Sequence, residues 1–235
     1  MSFLRFEERF YLMRAAHRLP LHVFERGWLL DWGKYDGETL MANIPKVREE
    51  IPAYLNELGL VGAGVEVGVQ EGQFSKVLLN GWKGGKLYLV DIWRPLPSSE
   101  DPANVSLQQQ RSNFMATFDA VAPYDPRPVI IRDSSVSAAS LFADKSLDFI
   151  YIDAGHLYKD VKEDLFAWAS KVKNGGLLMG HDYTQGDMKV VDGEGRLLST
   201  FRIEVKQAVD EWAALLEKTV VTTQEANFKS WIIQM

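Results

Sequence analysis

Two apolar runs of the sequence end in ionisable residues. Asp148-Phe-Ile-Tyr-Ile-Asp-Ala-Gly-His156 delivers Asp153 and then His156, and Gly175-Gly-Leu-Leu-Met-Gly-His-Asp-Tyr183 delivers His181 and Asp182. If both runs are strands of one open α/β sheet, their carboxyl ends face the same crevice, where such sheets hold ligands. Asp153, His181 and Asp182 form a mixed carboxylate and imidazole set that suits a divalent cation such as magnesium, manganese or iron. One His and two Asp also match the facial triad of non-haem iron oxygenases, so the set alone names neither ion nor reaction. His156, whose ordinary pKa lies near neutrality, suits a general base. Each residue also has a plainer reading: Asp153 and Asp182 as caps of helices or turns, His156 as a helix-start residue, His181 as a satisfied polar group. The chain has no cysteine, which excludes thiolate zinc sites and disulfides.

A second constellation lies upstream. Gly64-Val-Glu-Val-Gly-Val-Gln-Glu-Gly-Gln-Phe-Ser75 reads as a buried strand, a glycine-bearing turn and a helix start. Glycines let a backbone approach a ligand closely, and the helix offers unpaired N–H groups and a positive dipole end. Dinucleotide binders place G-x-G-x-x-G directly after the strand, and this chain does not. Glu66 and Glu71 flank the turn, where acid would repel a pyrophosphate but suit a cofactor with cationic parts, such as the ammonium and sulfonium of S-adenosylmethionine. The next apolar run, Lys86 to Trp93, ends in Asp91, about 20 residues beyond Gly72, where an acid grips a ribose diol. Ile92 or Trp93 could then lie against an adenine. Ordinary readings stand beside these: an α/β turn with solvated glutamates, and Asp91 as a turn cap.

The elements needed to position these groups are visible in the periodicity. Strand-like runs at Val65 to Gly68, Leu87 to Asp91, Pro128 to Arg132, Leu147 to Ile152 and Gly176 to Gly180 alternate with helical patterns, which predicts a parallel sheet with crossover helices. Leu157, Val161, Leu165, Trp168 and Val172 recur at helical spacing, as do Val205, Val209, Trp212 and Leu216. Thr219 to Thr223 and Ser230 to Gln234 predict a terminal β-hairpin. Tyr183 to Thr200 reads as a long polar segment with a hairpin tip at Asp192-Gly-Glu-Gly195, either a lid or a passive surface loop. Residues 1–60 form a separate extension. A helix carrying Phe3, Phe6, Phe10 and Met13 is expected before an irregular stretch with His22, Phe24, Trp28, Trp32 and Tyr35, with a further helix predicted from about Pro45 to Leu58 leading into the first strand. These aromatics are expected to pack onto the core or onto a second subunit of a homo-oligomer, with a substrate cap as the lesser alternative.

With 235 residues the chain is long enough for one sizeable core plus an appendage. A net charge of −6 argues against nucleic acid as a partner. No apolar run reaches membrane-spanning length and the charged start is unlike a signal peptide, so a soluble, cytoplasmic protein is expected.

Taken together, Val65-Glu-Val-Gly-Val-Gln-Glu-Gly72, Asp91, Ile150-Tyr-Ile-Asp-Ala-Gly-His156 and Gly180-His-Asp-Tyr183 resemble class I S-adenosylmethionine-dependent methyltransferases, nearest to methyltransferase family 24 and its metal-dependent sugar and antibiotic O-methyltransferases and cephalosporin-hydroxylase-like members. The resemblance covers about residues 62–235. It implies a Rossmann-like, doubly wound seven-stranded sheet with an antiparallel last strand, and S-adenosylmethionine lying over Glu66, Gly68, Gln70, Glu71, Gly72 and Ser75. Asp91 would hold the ribose beside Trp93, Asp133 and Ser134 would flank the adenine, and Asp153 would lie near the methionine end. A magnesium-like ion on Asp153, His181 and Asp182 would assist O-methylation of a small hydroxylated metabolite or sugar, with His156 as base. The family's sugar-modifying members often carry an acidic pair where this chain has His181-Asp182, which makes the site softer and less negative. A metal-dependent oxygenase or hydrolase, and a non-catalytic cofactor-binding protein, are the rival readings.

Overall fold

The structure is a computed structural model and describes residues 43–97 and 101–235. Every described residue belongs to one compact unit, Glu38–Met235. The aromatic segment expected over the first 40 residues lies outside the described residues.

Nine strands and six α-helices are described: α1 Ile51–Glu57, β1 Ala63–Val67, α2 Gln73–Gly81, β2 Lys86–Asp91, α3 Leu107–Val121, β3 Pro128–Arg132, α4 Ser135–Ala139, β4 Leu147–Ile152, α5 Tyr158–Trp168, β5 Val172–Gly180, β6 Gly186–Val191, β7 Leu197–Ile203, α6 Val205–Leu215, β8 Val221–Thr222 and β9 Trp231–Gln234. Seven strands form one sheet in the order β3-β2-β1-β4-β5-β9-β8. The first five strands run parallel, and β9 lies antiparallel between β5 and β8. This is the expected doubly wound sheet with an antiparallel last strand. The order reverses between β1 and β4, so their carboxyl ends flank the crevice of the sheet.

The sheet is covered on both faces, which is why its strands read as near-continuous apolar runs. In β4 all six residues are buried. Successive side chains of a strand point to opposite faces. Ile150 and Ile152 therefore pack with Val161, Leu165 and Trp168 of α5 and Val209 and Trp212 of α6. Phe149 and Tyr151 pack on the other face with Phe74 and Leu78 of α2 and Ile51 and Leu55 of α1.

Two local expectations are corrected. Val172, placed in the helical stripe, is the first residue of β5, because α5 ends at Trp168 in a 3-10 turn. The helix expected from Pro45 begins only at Ile51, after a 3-10 turn over Arg48–Glu50, and Ile51, Tyr54 and Leu55 are buried in the main core. The boundary drawn near residue 60 therefore cuts off a helix that belongs to the sheet domain. The segment after Tyr183 forms a two-stranded antiparallel sheet of β6 and β7 with its tip at the glycine-rich turn, as the sequence suggested, where Asp192 N donates to Arg196 O at 3.0 Å.

Candidate active site

The turn after β1 is shaped by two close approaches. Gly68 has φ +88°, and a Cβ there would lie 1.9 Å from the carbonyl oxygen of Asp153, so only glycine lets the β1 turn pass against the end of β4. Gly72, at φ +75°, starts α2 with no side-chain cap, leaving the first N–H groups of that helix open. Between them, the Gln70 carbonyl accepts from Thr117 Oγ1 at 2.9 Å and from Trp93 Nε1 at 2.8 Å.

Asp91, at the end of β2, lies against this turn. Its Oδ2 accepts from Val69 N and Gln70 N, both at 2.9 Å, and Oδ1 accepts from Trp93 N at 2.8 Å. A carboxylate offers about four acceptor positions, and three are engaged. About one acceptor position of Asp91 is therefore left open.

Other expected cofactor residues divide by exposure. Gln70 is exposed, Glu71 is half-buried, and Asp133 and Ser134 follow β3 beside Asp91, where Asp133 N donates to Asp91 O at 3.1 Å. Ser134 caps α4, its side chain accepting from Ser137 N. Glu66, Ser75 and Trp93 are each at most 1% exposed. Ser75 donates its hydroxyl to Glu66, and the Trp93 ring packs edge-on against Phe114. These three build the cradle from beneath and present no surface to a ligand, which corrects their assignment as contact residues. Burial above all pushes the Glu66 carboxyl up to about 8, although the Ser75 hydroxyl and Arg48 pull it down. It therefore supplies little negative charge at neutral pH, contrary to the electrostatic role expected of it.

The four ionisable groups at the ends of β4 and β5 do converge. Asp182, at φ +53°, turns the chain after β5, a conformation Asp tolerates better than most residues. His156 Nε2 lies 2.8 Å from Asp182 Oδ2, and Nδ1 bonds Asp101 Oδ2. A ring nitrogen facing a carboxylate oxygen at such range carries a proton, and both nitrogens do so here. Burial favours the neutral ring, but the bonds to Asp101 and Asp182 outweigh it and raise His156 to about 10. Burial likewise opposes the charged forms of Asp182 and Asp101, and the bonds to His156 hold both below the usual carboxylate range, with His181 also acting on Asp182. His156 thus rests as an imidazolium between two carboxylates, which corrects its assignment as a ready general base.

His181 and Asp153 form the second half of the cluster. His181 Nδ1 lies 3.2 Å from Asp182 Oδ1 and 3.7 Å from Asp153 Oδ1. Arg48 enters opposite, with Nη2 at 3.2 Å from Asp153 Oδ2 and Nη1 at 3.4 Å from His181 Nε2. Burial lowers the basicity of His181, the carboxylates beside Nδ1 raise it to about 9, and the guanidinium pulls it back. A guanidinium can only donate, so a hydrogen bond at this contact uses the lone pair of Nε2, with the His181 proton on Nδ1 toward the carboxylates.

A cavity of about 290 Å³ opens beside these groups, lined by Gln70, Asp101, His156 and Asp182 on its polar side and by Phe201, Ile203 and Phe228 on its apolar side. Gln70 belongs to both the β1 turn and the cavity, so cradle and cavity are contiguous.

The family model described as "Methyltransferase domain" matches residues 65–183, from inside β1 to just beyond β5. The chain belongs to this methyltransferase family. Solved structures share its fold. An rRNA methylase from Streptococcus thermophilus superposes with a TM-score of 0.54 at 14% identity, covering 82% of this chain and 98% of that one. An O-methyltransferase family protein from Burkholderia thailandensis gives 0.54 at 13% identity, covering 79% and 54%. An S-adenosylmethionine-dependent methyltransferase from Clostridium acetobutylicum gives 0.51 at 11% identity, covering 84% and 95%. No curated protein matches the chain. Among the described residues of the methyltransferase, no helix is long and apolar enough to cross a membrane.

Two charged groups of the methyltransferase site, Arg48 and Asp101, were not anticipated. Neither lies in a motif, and they are 105 and 55 residues from their partners Asp153 and His156, so no local pattern announces them. The expected metal set does gather, with one donor atom from each of Asp153, His181 and Asp182 within 4.8 Å of the other two. Its donors do not fit a dication as they stand. His181 has Nδ1 on carboxylates and Nε2 on Arg48, and Asp153 already carries a guanidinium.

Proposed function

We propose that this enzyme transfers a methyl group from S-adenosylmethionine to a hydroxyl of a small metabolite held in the 290 Å³ cavity. The observation that carries the reading is the continuity of the cradle with that cavity through Gln70, which would bring a donor over Gly68 to Gly72 against an acceptor beside His156. The cradle fits a nucleoside cofactor: Gly68 and Gly72 leave the turn bare, α2 begins uncapped, and Asp91 keeps an acceptor position for a ribose hydroxyl. S-adenosylmethionine supplies a methyl already activated on a sulfonium sulfur.

The task left to the protein is to position the two reactants and manage the acceptor's proton. Phe201, Ile203 and Phe228 would hold the apolar body of the acceptor and exclude water. Asp101 and Asp182, fixed by His156, line the cavity. An acceptor hydroxyl donating to one of them is held with a lone pair free for in-line attack; as the sulfonium–methyl bond breaks and the oxygen–methyl bond forms, the oxygen becomes strongly acidic and its proton passes to that carboxylate. The size of the cavity favours a small acceptor, such as a sugar or another hydroxylated metabolite, over a nucleic acid. No step is routed through a divalent ion, because Arg48 and the carboxylates already occupy the donors of His181 and Asp153.

The test is a melting-temperature titration with S-adenosylhomocysteine, followed by transfer of labelled methyl to a panel of small hydroxylated acceptors. A saturable upward shift is expected. A protein that shows no shift with S-adenosylhomocysteine, but responds to another cosubstrate, sinks this reading.

A further inference from the structure

We propose that Arg48 is the resident cation of this site: its guanidinium stands where a divalent ion would sit between Asp153 and His181, and methyl transfer needs no bound metal. The inference rests on the methyl-transfer reading only for its activity measurement. Its geometric basis is independent of that reading.

Arg48 contacts both groups that a metal would need, with Nη2 at 3.2 Å from Asp153 Oδ2 and Nη1 at 3.4 Å from His181 Nε2. Its position is built in. The backbone N–H of Arg48 donates to Glu225 Oε1 at 2.5 Å, and Gln224 N donates to Lys46 O at 2.8 Å, tying this turn to the segment between β8 and β9. The α1 residues that follow, Ile51 and Leu55, are fully buried. The guanidinium lies 4.1 Å from the Phe74 ring centre and 5.5 Å from that of Tyr151, in the cation–π range, and its Nε is enclosed with no hydrogen-bond partner among the described residues. An arginine kept only for solubility or packing would not hold its charge in this place.

The consequence is chemical. A dication entering the cluster would meet a fixed positive charge at contact range and would have to displace it from Asp153. Arg48 cannot polarise an acceptor hydroxyl as a Lewis acid does, because it offers only hydrogen bonds from a permanently protonated group. It acts as a positioning residue that fixes Asp153 and the orientation of the His181 ring. His181 meets the guanidinium through Nε2 at 3.4 Å and adds no negative charge to those of Asp153 and Asp182.

The full-length protein, stripped with chelator and titrated with Mn²⁺ under electron paramagnetic resonance, is expected to show no stoichiometric site. Arg48→Gln should bind one Mn²⁺ roughly tenfold or more tightly than wild type, and Arg48→Lys should exclude it as wild type does. The double variant Arg48→Gln/Asp153→Asn should lose the new site, which ties the ion to this cluster. Wild-type transfer should be the same in chelator as in added Mg²⁺. A wild type that binds one Mn²⁺ and loses it on Asp153→Asn overturns the proposal. So does a folded Arg48→Gln that binds Mn²⁺ no better than wild type, or transfer that requires Mg²⁺. If Arg48→Gln fails to fold, the wild-type titration and the chelator comparison still decide. A wild type that ignores S-adenosylhomocysteine would instead count against the methyl-transfer reading and leave the metal result intact.

Discussion

His156 is held by two carboxylates at once, and this decides what the residue can contribute. As an imidazolium it fixes Asp101 and Asp182 at the cavity wall rather than abstracting a proton itself. Replacing it with alanine removes that order and leaves two carboxylates to repel each other. His156→Ala is expected to lower kcat by roughly 10²-fold or more, with the S-adenosylhomocysteine shift in melting temperature retained. Steady-state kinetics with a calorimetric binding control separates the two effects. Asp91 serves the other half of the site. Asp91→Asn should weaken S-adenosylhomocysteine binding by roughly tenfold to a hundredfold, the range of one charge-assisted hydrogen bond. Unchanged affinity in a calorimetric titration would mean that Asp91 only braces the turn. Asp153, His156, His181 and Asp182 were legible in the sequence because each follows an apolar run at the end of a strand. Arg48 and Asp101 were not, since their relation to the cluster exists only after residues far apart in the chain have been brought together.

Among the elements, β1 and β4 matter most, since their divergence opens the crevice and a glycine permits their contact. Gly68→Ala would place a methyl 1.9 Å from the Asp153 carbonyl oxygen in a backbone conformation that alanine resists. A destabilisation of roughly 3 kcal/mol or more is expected, with loss of transfer activity because Asp153 moves. Gly193, at the tip of the β6–β7 hairpin, has no atom within 4 Å of an added Cβ and serves as control, with a change within about 0.5 kcal/mol. Urea unfolding of both variants checks this. The hairpin itself contributes Phe201 and Ile203 to the cavity wall. Phe201→Ala should raise the acceptor KM by about tenfold, as removal of a partly buried aromatic contact would, and leave cofactor binding alone. Strand positions were readable because a doubly covered sheet demands apolar runs. The hairpin was only half readable, because its exposed, alternating strands carry little apolar signal.

For the whole molecule, stability reflects carboxyls pulled in opposite directions. Burial raises Asp164 to about 7, with the Ser135 hydroxyl pulling it down, and burial raises Glu66 to about 8. A carboxyl that holds its proton more tightly when folded contributes stability below the ordinary carboxylate pKa of about 4 and loses it as pH climbs through the folded value. Asp182 and Asp101 are lowered instead, so their contribution is present above that ordinary value and lost on acidification. Through Asp164 and Glu66, stability should therefore fall as pH rises between about 4 and 8. Asp164→Asn keeps an acceptor for Ser135 and removes the buried ionisation. It is expected to raise stability at pH 8.5 by roughly 2–4 kcal/mol and to change it little near pH 3.5, below the ordinary carboxylate pKa. Melting curves across that range provide the check, and parallel wild-type and variant profiles would refute the assignment.

The sequence by itself determined the doubly wound sheet, the glycine turn after β1 and the four ionisable residues at the carboxyl ends of β4 and β5. All of these follow from local periodicity, which is set by backbone geometry and by the need to bury one or both faces of an element. Only the tertiary structure decided how the charges are satisfied. It set Arg48 against Asp153 and His181, closed Asp101 onto His156, and withdrew Glu66, Ser75 and Trp93 from the cradle's surface. A charge takes its partner from whatever surrounds it once water has been excluded, and those neighbours come from distant parts of the chain.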